Sequence, residues 1–243
     1  MVTGSSRGIG AATARLLGSQ DFRVCINYRS DHDAAEALLA ELTSDRIDAI
    51  AVRADVSAEE DVTALFDTVD RELGTVTALV NNAGILMPQQ GIVDMDAARI
   101  NTIFATNVTG TLLCCREAAR RMSTRRGGEG GAIVNVSSVA ARTGSPGEYV
   151  DYAASKGAVD TLTTGLSVEL AADGIRVNGV RPGFIRTDMH AAGGEPGRVE
   201  RLAPSIPMGR GGEPAEIAQC IAWLLSDDAS YVTGAFIDAA GGR

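Results

Sequence analysis

Six short apolar runs rich in β-branched residues alternate with longer stretches of helical periodicity, and this alternation constrains the fold more than any other feature of the chain. The runs are FRVCINY (22–28), DAIAVRA (48–54), TALVNNA (77–83), GAIVNVSS (131–138), IRVNGVR (175–181) and AFIDAA (235–240). Each is nearly continuous in its apolar character, the pattern of a strand covered on both faces of a parallel sheet. The spacing between them predicts helices over about 8–19, 32–44, 58–73, 97–124, 151–173 and 213–226. Ser57 is placed to cap the third helix, with Glu59 and Glu60 in its first turn, and Pro214 opens the last near N1. Together these predict an α/β fold, a doubly wound parallel sheet of about seven strands with helices on both faces.

Neither an internal repeat nor a composition break divides the 243 residues, so 1–243 reads as a single domain, and 45% hydrophobic residues suffice for one core. A net charge of −9 lacks the basic footprint of a nucleic-acid partner. Cys25, Cys114, Cys115 and Cys220 form no CxxC and read as buried thiols; with only His32 and His190 as histidines, no metal site is expected. No signal peptide or membrane-length apolar run is visible, so the expectation is a soluble, cytoplasmic protein with no membrane partner.

The opening MVTGSSRGIG places Gly4, Gly8 and Gly10 ahead of the first helix. Glycines let a backbone turn sharply and approach a phosphate, and a helix N-terminus offers its free N–H groups to that anion. Such a loop follows a buried strand. Only Met1 and Val2 precede it, so the first strand is expected to be truncated in this chain.

Further along lie NNAG (81–84), NVSS (135–138), YAASK (152–156) and RPGFIRT (181–187), in this order after TGSSRGIG (3–10). The set resembles the short-chain dehydrogenase/reductase family over essentially the whole chain, and GSPGEYVDYAASKGA is similar to bacterial sugar-dehydrogenase-like and 3-oxoacyl-carrier-protein-reductase-like members. The resemblance implies a Rossmann fold, a nicotinamide dinucleotide and hydride transfer to or from a small carbonyl or alcohol substrate.

Tyr152 and Lys156 are one helical turn apart, so their side chains share a face. A free phenol has a pKa of about 10; a nearby ammonium favours phenolate and is expected to bring that value towards neutrality. Ser137 and Ser138 end a strand, where ligands of α/β sheets bind, and alternation sends only one of them to the site. The resemblance selects Ser138 to stabilise the substrate oxygen, Tyr152 to protonate it, Lys156 to tune Tyr152 and hold the nicotinamide ribose, and Asn107 to hold a water in a proton relay.

The resemblance also assigns cofactor contacts to Gly4, Ser6, Arg7, Gly8, Ile9 and Gly10 in the glycine loop and to Asp55 and Val56 beside the adenine. It adds the 81–84 turn (Asn81, Asn82, Ala83, Gly84) and Pro182, Gly183, Ile185 and Thr187 at the nicotinamide amide. After FRVCIN come Tyr28 and Arg29, where an NAD enzyme usually carries an acid for the ribose 2′-hydroxyl. Arg29, with Arg7 opposite, could instead fork onto a 2′-phosphate. NADP(H) is therefore the preferred cofactor and NAD(H) the alternative.

The substrate pocket is expected from residues 86–95, 139–149 and a loop of about 188–212, with His190 an exposed loop residue. Arg120, Arg121, Arg125 and Arg126 read as answering a helix dipole. By resemblance the assembly is a homotetramer. The alternative to an enzyme is a dinucleotide-binding regulator or sensor that retains the fold.

Overall fold

A computed structural model describes residues 1–243. The six apolar runs form parallel strands: β1 Val24–Tyr28, β2 Ala49–Arg53, β3 Ala78–Asn81, β4 Gly131–Val136, β5 Ile175–Pro182 and β6 Phe236–Ala239. β1 pairs with β2, and β3 to β6 pair in sequence order. The slot between β1 and β3 is filled by the first residues of the chain. Val2 bridges both Ile26 and Val80. Its N–H donates to Cys25 O at 3.1 Å, its carbonyl accepts from Asn27 N at 3.2 Å, and Thr3 N donates to Val80 O at 3.0 Å. The spatial order is therefore β2–β1–Val2–β3–β4–β5–β6. The seventh position exists, reduced to a bridge, and its backbone groups are paired on both sides as a buried sheet centre requires.

Ten helices, most of them surrounding the sheet, are α1 Gly8–Gly18, α2 His32–Ser44, α3 Glu59–Leu73, α4 Ala97–Phe104, α5 Gly110–Met122, α6 Ala140–Thr143, α7 Val150–Glu169, α8 Met189–Ala192, α9 Arg198–Leu202 and α10 Pro214–Leu225. Side chains of successive strand residues point to opposite faces. Leu79, Ile133 and Val177 accordingly pack with Phe66 of α3 and Cys114 and Ala118 of α5. Val80, Val134 and Val180 pack with Leu17 of α1 and Ile217 and Ile221 of α10. α1 and α2 cover β1 on the same side through Ala14, Leu38 and Leu42. No helix is long and apolar enough to cross a membrane.

Polar groups lie inside the α5/α7 face. Asn81 Nδ2 donates to Asn135 Oδ1 at 2.9 Å and contacts Cys115 Sγ at 3.2 Å, and Asn135 Nδ2 donates to Thr163 Oγ1 at 2.9 Å.

Several local expectations change. The long helix 97–124 is interrupted by a π turn at Ala105–Thr109, centred on Asn107. Ala58, not Ser57, caps α3, because Ser57 instead donates its N–H and hydroxyl to Asp55 at 2.9 and 2.7 Å. Pro214 sits at the start of α10, where Glu213 and Glu216 complete a capping box. The substrate loop contains α8 and α9. The arginines at the end of α5 do more than face a dipole: Arg121 pairs with Asp67, Asp70 and Glu117, Arg120 with Glu117, and Arg125 with Asp173. Cys25, Cys114 and Cys115 are buried thiols, while Cys220 is only partly covered.

Candidate active site

The carboxyl ends of the strands open onto two adjoining cavities. The first is walled by Gly4, Ser6, Arg7, Gly8 and Ile9 of the glycine loop, by Tyr28, Arg29, Asp55 and Val56 beyond β1 and β2, and by Asn82, Ala83, Gly84 and Thr187. Gly4 and Gly8 have φ of +59° and +57°, conformations that only glycine adopts freely, so the loop can turn directly into the N-terminus of α1. A Cβ on Gly4 would lie 2.8 Å from Ala83 Cα. The loop is also tied down from behind. Gly4 N donates to Asn27 Oδ1 at 3.2 Å, and Asn82 Nδ2 donates to Thr3 O and Gly4 O at 2.9 and 2.8 Å.

Gly10 and Asn81, expected at the cofactor, do not reach this cleft. Gly10 serves packing: a Cβ there would stand 2.6 Å from both Asn82 Nδ2 and Gly4 O. Asn81 belongs to the buried network with Asn135. The sequence reading missed Asn27 and Asp31. Asn27 is a buried amide in an apolar run, and that was the available signal. Asp31 caps α2, lines the cleft and pairs with Arg7 at 3.6 Å.

Arg29 meets Asp55 at 3.8 Å on the opposite wall. Burial works to raise the Asp55 carboxyl, but the hydrogen bonds from Ser57 and the charge of Arg29 outweigh it and hold it below its ordinary value. Both arginines are more than half exposed, so their pairs are weak and open to exchange for another anion.

The second cavity brings together Ser138, Tyr152, Lys156, Pro182, Gly183 and Ile185. It also includes Leu86, Val139, Tyr149, Phe184, Met189, His190, Arg198 and the terminal Arg243, but nothing from 87–95. Ile9, Asn82, Leu86, Thr187 and Met189 line both cavities, so the two are continuous. Ser137 and Ser138 diverge as alternation requires: Ser137 Oγ donates to Lys156 O at 3.2 Å and is buried, while Ser138 Oγ accepts from Ala140 N at 3.1 Å and stands beside Tyr152.

Lys156 Nζ donates to Val136 O at 2.8 Å and lies 5.7 Å from the Tyr152 ring centroid. Burial lowers the Lys156 ammonium to about 8, against the charge of Asp160 on the next turn. Burial likewise pushes the Tyr152 phenol up to about 12, with the Ser138 hydrogen bond working the other way. The expected depression of the phenol is therefore absent: desolvation of the oxygen dominates, and Tyr152 rests as a protonated acid.

Asn107 lines neither cavity. It is fully buried in the π turn, where its Oδ1 accepts from Ile85 N at 2.8 Å and its Nδ2 donates to Ile85 O at 3.1 Å and Ser155 Oγ at 3.0 Å. It thereby fixes the loop after β3 against α7. A Cβ on Gly84 would come 3.4 Å from Lys156 Nζ and 3.5 Å from Asn107 Oδ1, so the glycine keeps that corner open. His190 is half-buried, not exposed; its Nε2 is 3.0 Å from Ile185 O and its Nδ1 is buried without a partner.

Comparison with known proteins agrees with this geometry. Residues 4–243 match the family model described as Enoyl-(Acyl carrier protein) reductase. The chain is 60% identical over all of its length, and 98% of the relative's, to an uncharacterized oxidoreductase, YgfF, of Escherichia coli K12. It is 37% identical to the 3-oxoacyl-[acyl-carrier-protein] reductase FabG of Staphylococcus aureus Mu50, covering 100% of this chain and 96% of that one. An uncharacterized oxidoreductase of Methylorubrum extorquens is 38% identical with the same coverage. With a glycine-loop cleft running into a Ser–Tyr–Lys cavity and relatives matched end to end, this chain belongs to the short-chain dehydrogenase/reductase family and is an oxidoreductase of that family.

Proposed function

We propose that the chain is an NADP(H)-dependent oxidoreductase that interconverts a small carbonyl compound and its alcohol, using Ser138, Tyr152 and Lys156 with Asn107 in support. The observation that carries this reading is the convergence of those three side chains on one cavity continuous with the glycine-loop cleft. The residues present fit a dinucleotide. The positive-φ glycines open a cradle before the N-terminus of α1, and Gly84 leaves free the corner beside Lys156.

Gly4, Ser6, Arg7, Gly8 and Ile9 would hold the pyrophosphate, Tyr28, Arg29, Asp55 and Val56 the adenosine end. Asn82, Ala83, Gly84, Tyr152 and Lys156 would hold the nicotinamide ribose, and Pro182, Gly183, Ile185 and Thr187 the amide. When bound, the dinucleotide supplies or accepts the hydride. In the reductive direction Ser138 Oγ donates to the substrate oxygen and Tyr152 gives that oxygen its proton. Its high pKa suits Tyr152 to keep the proton until charge develops on the oxygen. Lys156, while protonated, stabilises the resulting phenolate. Asn107 keeps the Ile85 backbone in place beside this group. Alcohol oxidation runs the same proton path in reverse. Turnover on a panel of aldoses, ketoacyl thioesters, quinones and small ketones, followed by loss of NADPH absorbance, tests the reading and names the substrate class.

Preference for NADP(H) rests on Arg7 and Arg29, both exposed, facing the cleft in weak acidic pairs. Arg29→Ala is expected to lower kcat/KM for NADPH at least about tenfold, the scale of losing a charge-assisted hydrogen bond, and to leave that for NADH within about twofold. Wild-type preference for NADH, or an unchanged NADPH preference in the variant, contradicts the assignment.

The pH response follows from the two buried groups. Tyr152, at about 12, keeps its proton through the usual assay range, whereas Lys156 loses its charge as pH rises through about 8. The protonated lysine is the active form. The profile of kcat/KM for NADPH, which reports the free enzyme, should be level near neutrality and fall above about pH 8. A profile that climbs through that value is incompatible with Lys156 acting as an ammonium.

A further inference from the structure

One ion pair of the chain has both partners less than one-tenth exposed: Arg99 and Asp151, with side-chain exposures of 8% and 2%. It lies immediately behind Tyr152. Asp151 Oδ2 accepts from Arg99 Nε at 2.6 Å, and Asp151 Oδ1 accepts from the backbone N–H of Tyr152 at 2.8 Å. The other arm of the guanidinium, Nη1, donates to Pro88 O at 2.7 Å. Arg99 is itself set by its helix, since Asp96, the cap of α4, accepts from Arg99 N at 2.7 Å.

Three pieces of the chain therefore meet on one charge pair. They are the first turn of α4, the first turn of α7 with Tyr152, and the 85–90 loop, whose Leu86 lines both cavities. Asn107 holds the same loop from its other end through Ile85. A buried pair of this kind is weak evidence for stability, because desolvation offsets much of the attraction; its planar, bidentate geometry fixes relative position. Lysine could satisfy the charge but could not span Asp151 and Pro88 with the same fork.

We propose that Arg99 and Asp151 are positioning residues of the active site, a charged clamp that sets the Tyr152 hydroxyl and, through the Pro88 carbonyl, the wall formed by Leu86 at the distance that proton transfer requires. The proposal rests on Tyr152 being the proton donor.

The test uses Arg99→Lys and Asp151→Asn beside Tyr152→Phe in the full chain. Active sites are counted by NADPH titration, and kcat and KM are measured on the best substrate of the panel. Each clamp variant should lose at least about tenfold in kcat per NADPH-binding site, a displacement-sensitive quantity, with NADPH affinity within about twofold of wild type. A purely structural pair would lower Tm and leave kcat per site unchanged. If Asp151→Asn does not fold, Arg99→Lys decides, since it retains the buried charge balance.

A second readout needs no substrate. The chain has four tyrosines, so in protein carrying ring-labelled tyrosine the Tyr152 resonance is assigned by its absence in Tyr152→Phe. It should move in both clamp variants while those of Tyr28 and Tyr231 stay. Wild-type kcat per site in Arg99→Lys, or an unmoved Tyr152 resonance, overturns the clamp. Wild-type turnover in Tyr152→Phe overturns the assignment of the proton donor on which it rests, so the two failures are told apart.

Discussion

Tyr152→Phe should fold, bind NADPH with affinity close to that of wild type, and lose at least about 10²-fold in kcat, the usual scale for removing a positioned acid or base. The phenyl ring keeps the contacts with the second cavity and removes one oxygen. That oxygen stands beside Ser138 and near Lys156, and burial holds its proton on at about 12. Losing the hydroxyl removes one contact at the nicotinamide ribose and leaves Lys156 and the lining of the first cavity in place, so binding is expected to survive. Fluorescence titration with NADPH, run beside turnover, separates the two. A folded variant that binds NADPH and reduces the panel substrate at the wild-type rate removes Tyr152 from the mechanism. If no substrate turns over in wild type while NADPH changes assembly or partner binding, the chain is better read as a dinucleotide sensor.

Gly10→Ala should cost more than its single methyl suggests. The added Cβ would meet Gly4 O and Asn82 Nδ2 at 2.6 Å and Ser5 Cα at 2.7 Å. Two of these are backbone atoms and the third is the amide that clamps the glycine loop, so none can swing aside. Overpacking of this kind typically costs about 1–3 kcal/mol. Relief requires the loop to lift from α1, and that spreads the cradle. A drop in Tm together with at least a tenfold rise in the NADPH dissociation constant is the expected result (about 1.4 kcal/mol per tenfold). Unchanged affinity would mean that the loop tolerates the shift and that Gly10 has no bearing on the cleft. Gly4 and Gly10 thus fail for different reasons: the first has a positive φ, the second has no room.

The sheet was legible because its strands are buried on both faces, which makes each one a conspicuous apolar run. Strand ends were overshot by one or two residues, as at Phe22 and Ser137. Tyr152 and Lys156 were legible as a pair because helical spacing is a local property, and strand-end position narrowed the serine to Ser137 or Ser138; the choice of Ser138 came from the resemblance. What stayed hidden depends on partners distant in the chain. Arg99 and Asp151 are 52 residues apart, and nothing in either neighbourhood announces the other. Asn81 and Asn82 are adjacent and chemically identical, yet strand alternation sends the first into the core and the second to the glycine loop. The phenol's upward shift was likewise unreadable, since it follows from how completely the oxygen is desolvated. Asn107 was singled out through the family resemblance, but the π turn that aims its amide at Ile85 was not foreseen.

The amides of Asn81 and Asn135 bear on how the chain rejects wrong pairings. Both side chains face α5 and α7, where Cys115 and Thr163 supply their partners. Sliding β4 by one residue against its neighbours would turn Asn135 towards α1 and α10, among the aliphatic side chains of Val80, Val180 and Ile221. Without Asn135 the strand Gly131–Val136 would be wholly aliphatic and could slip at modest cost, because one valine resembles another. Two amides in a layer of hydrocarbon leave a one-residue slip with an unsatisfied donor, and so favour the correct alignment over it.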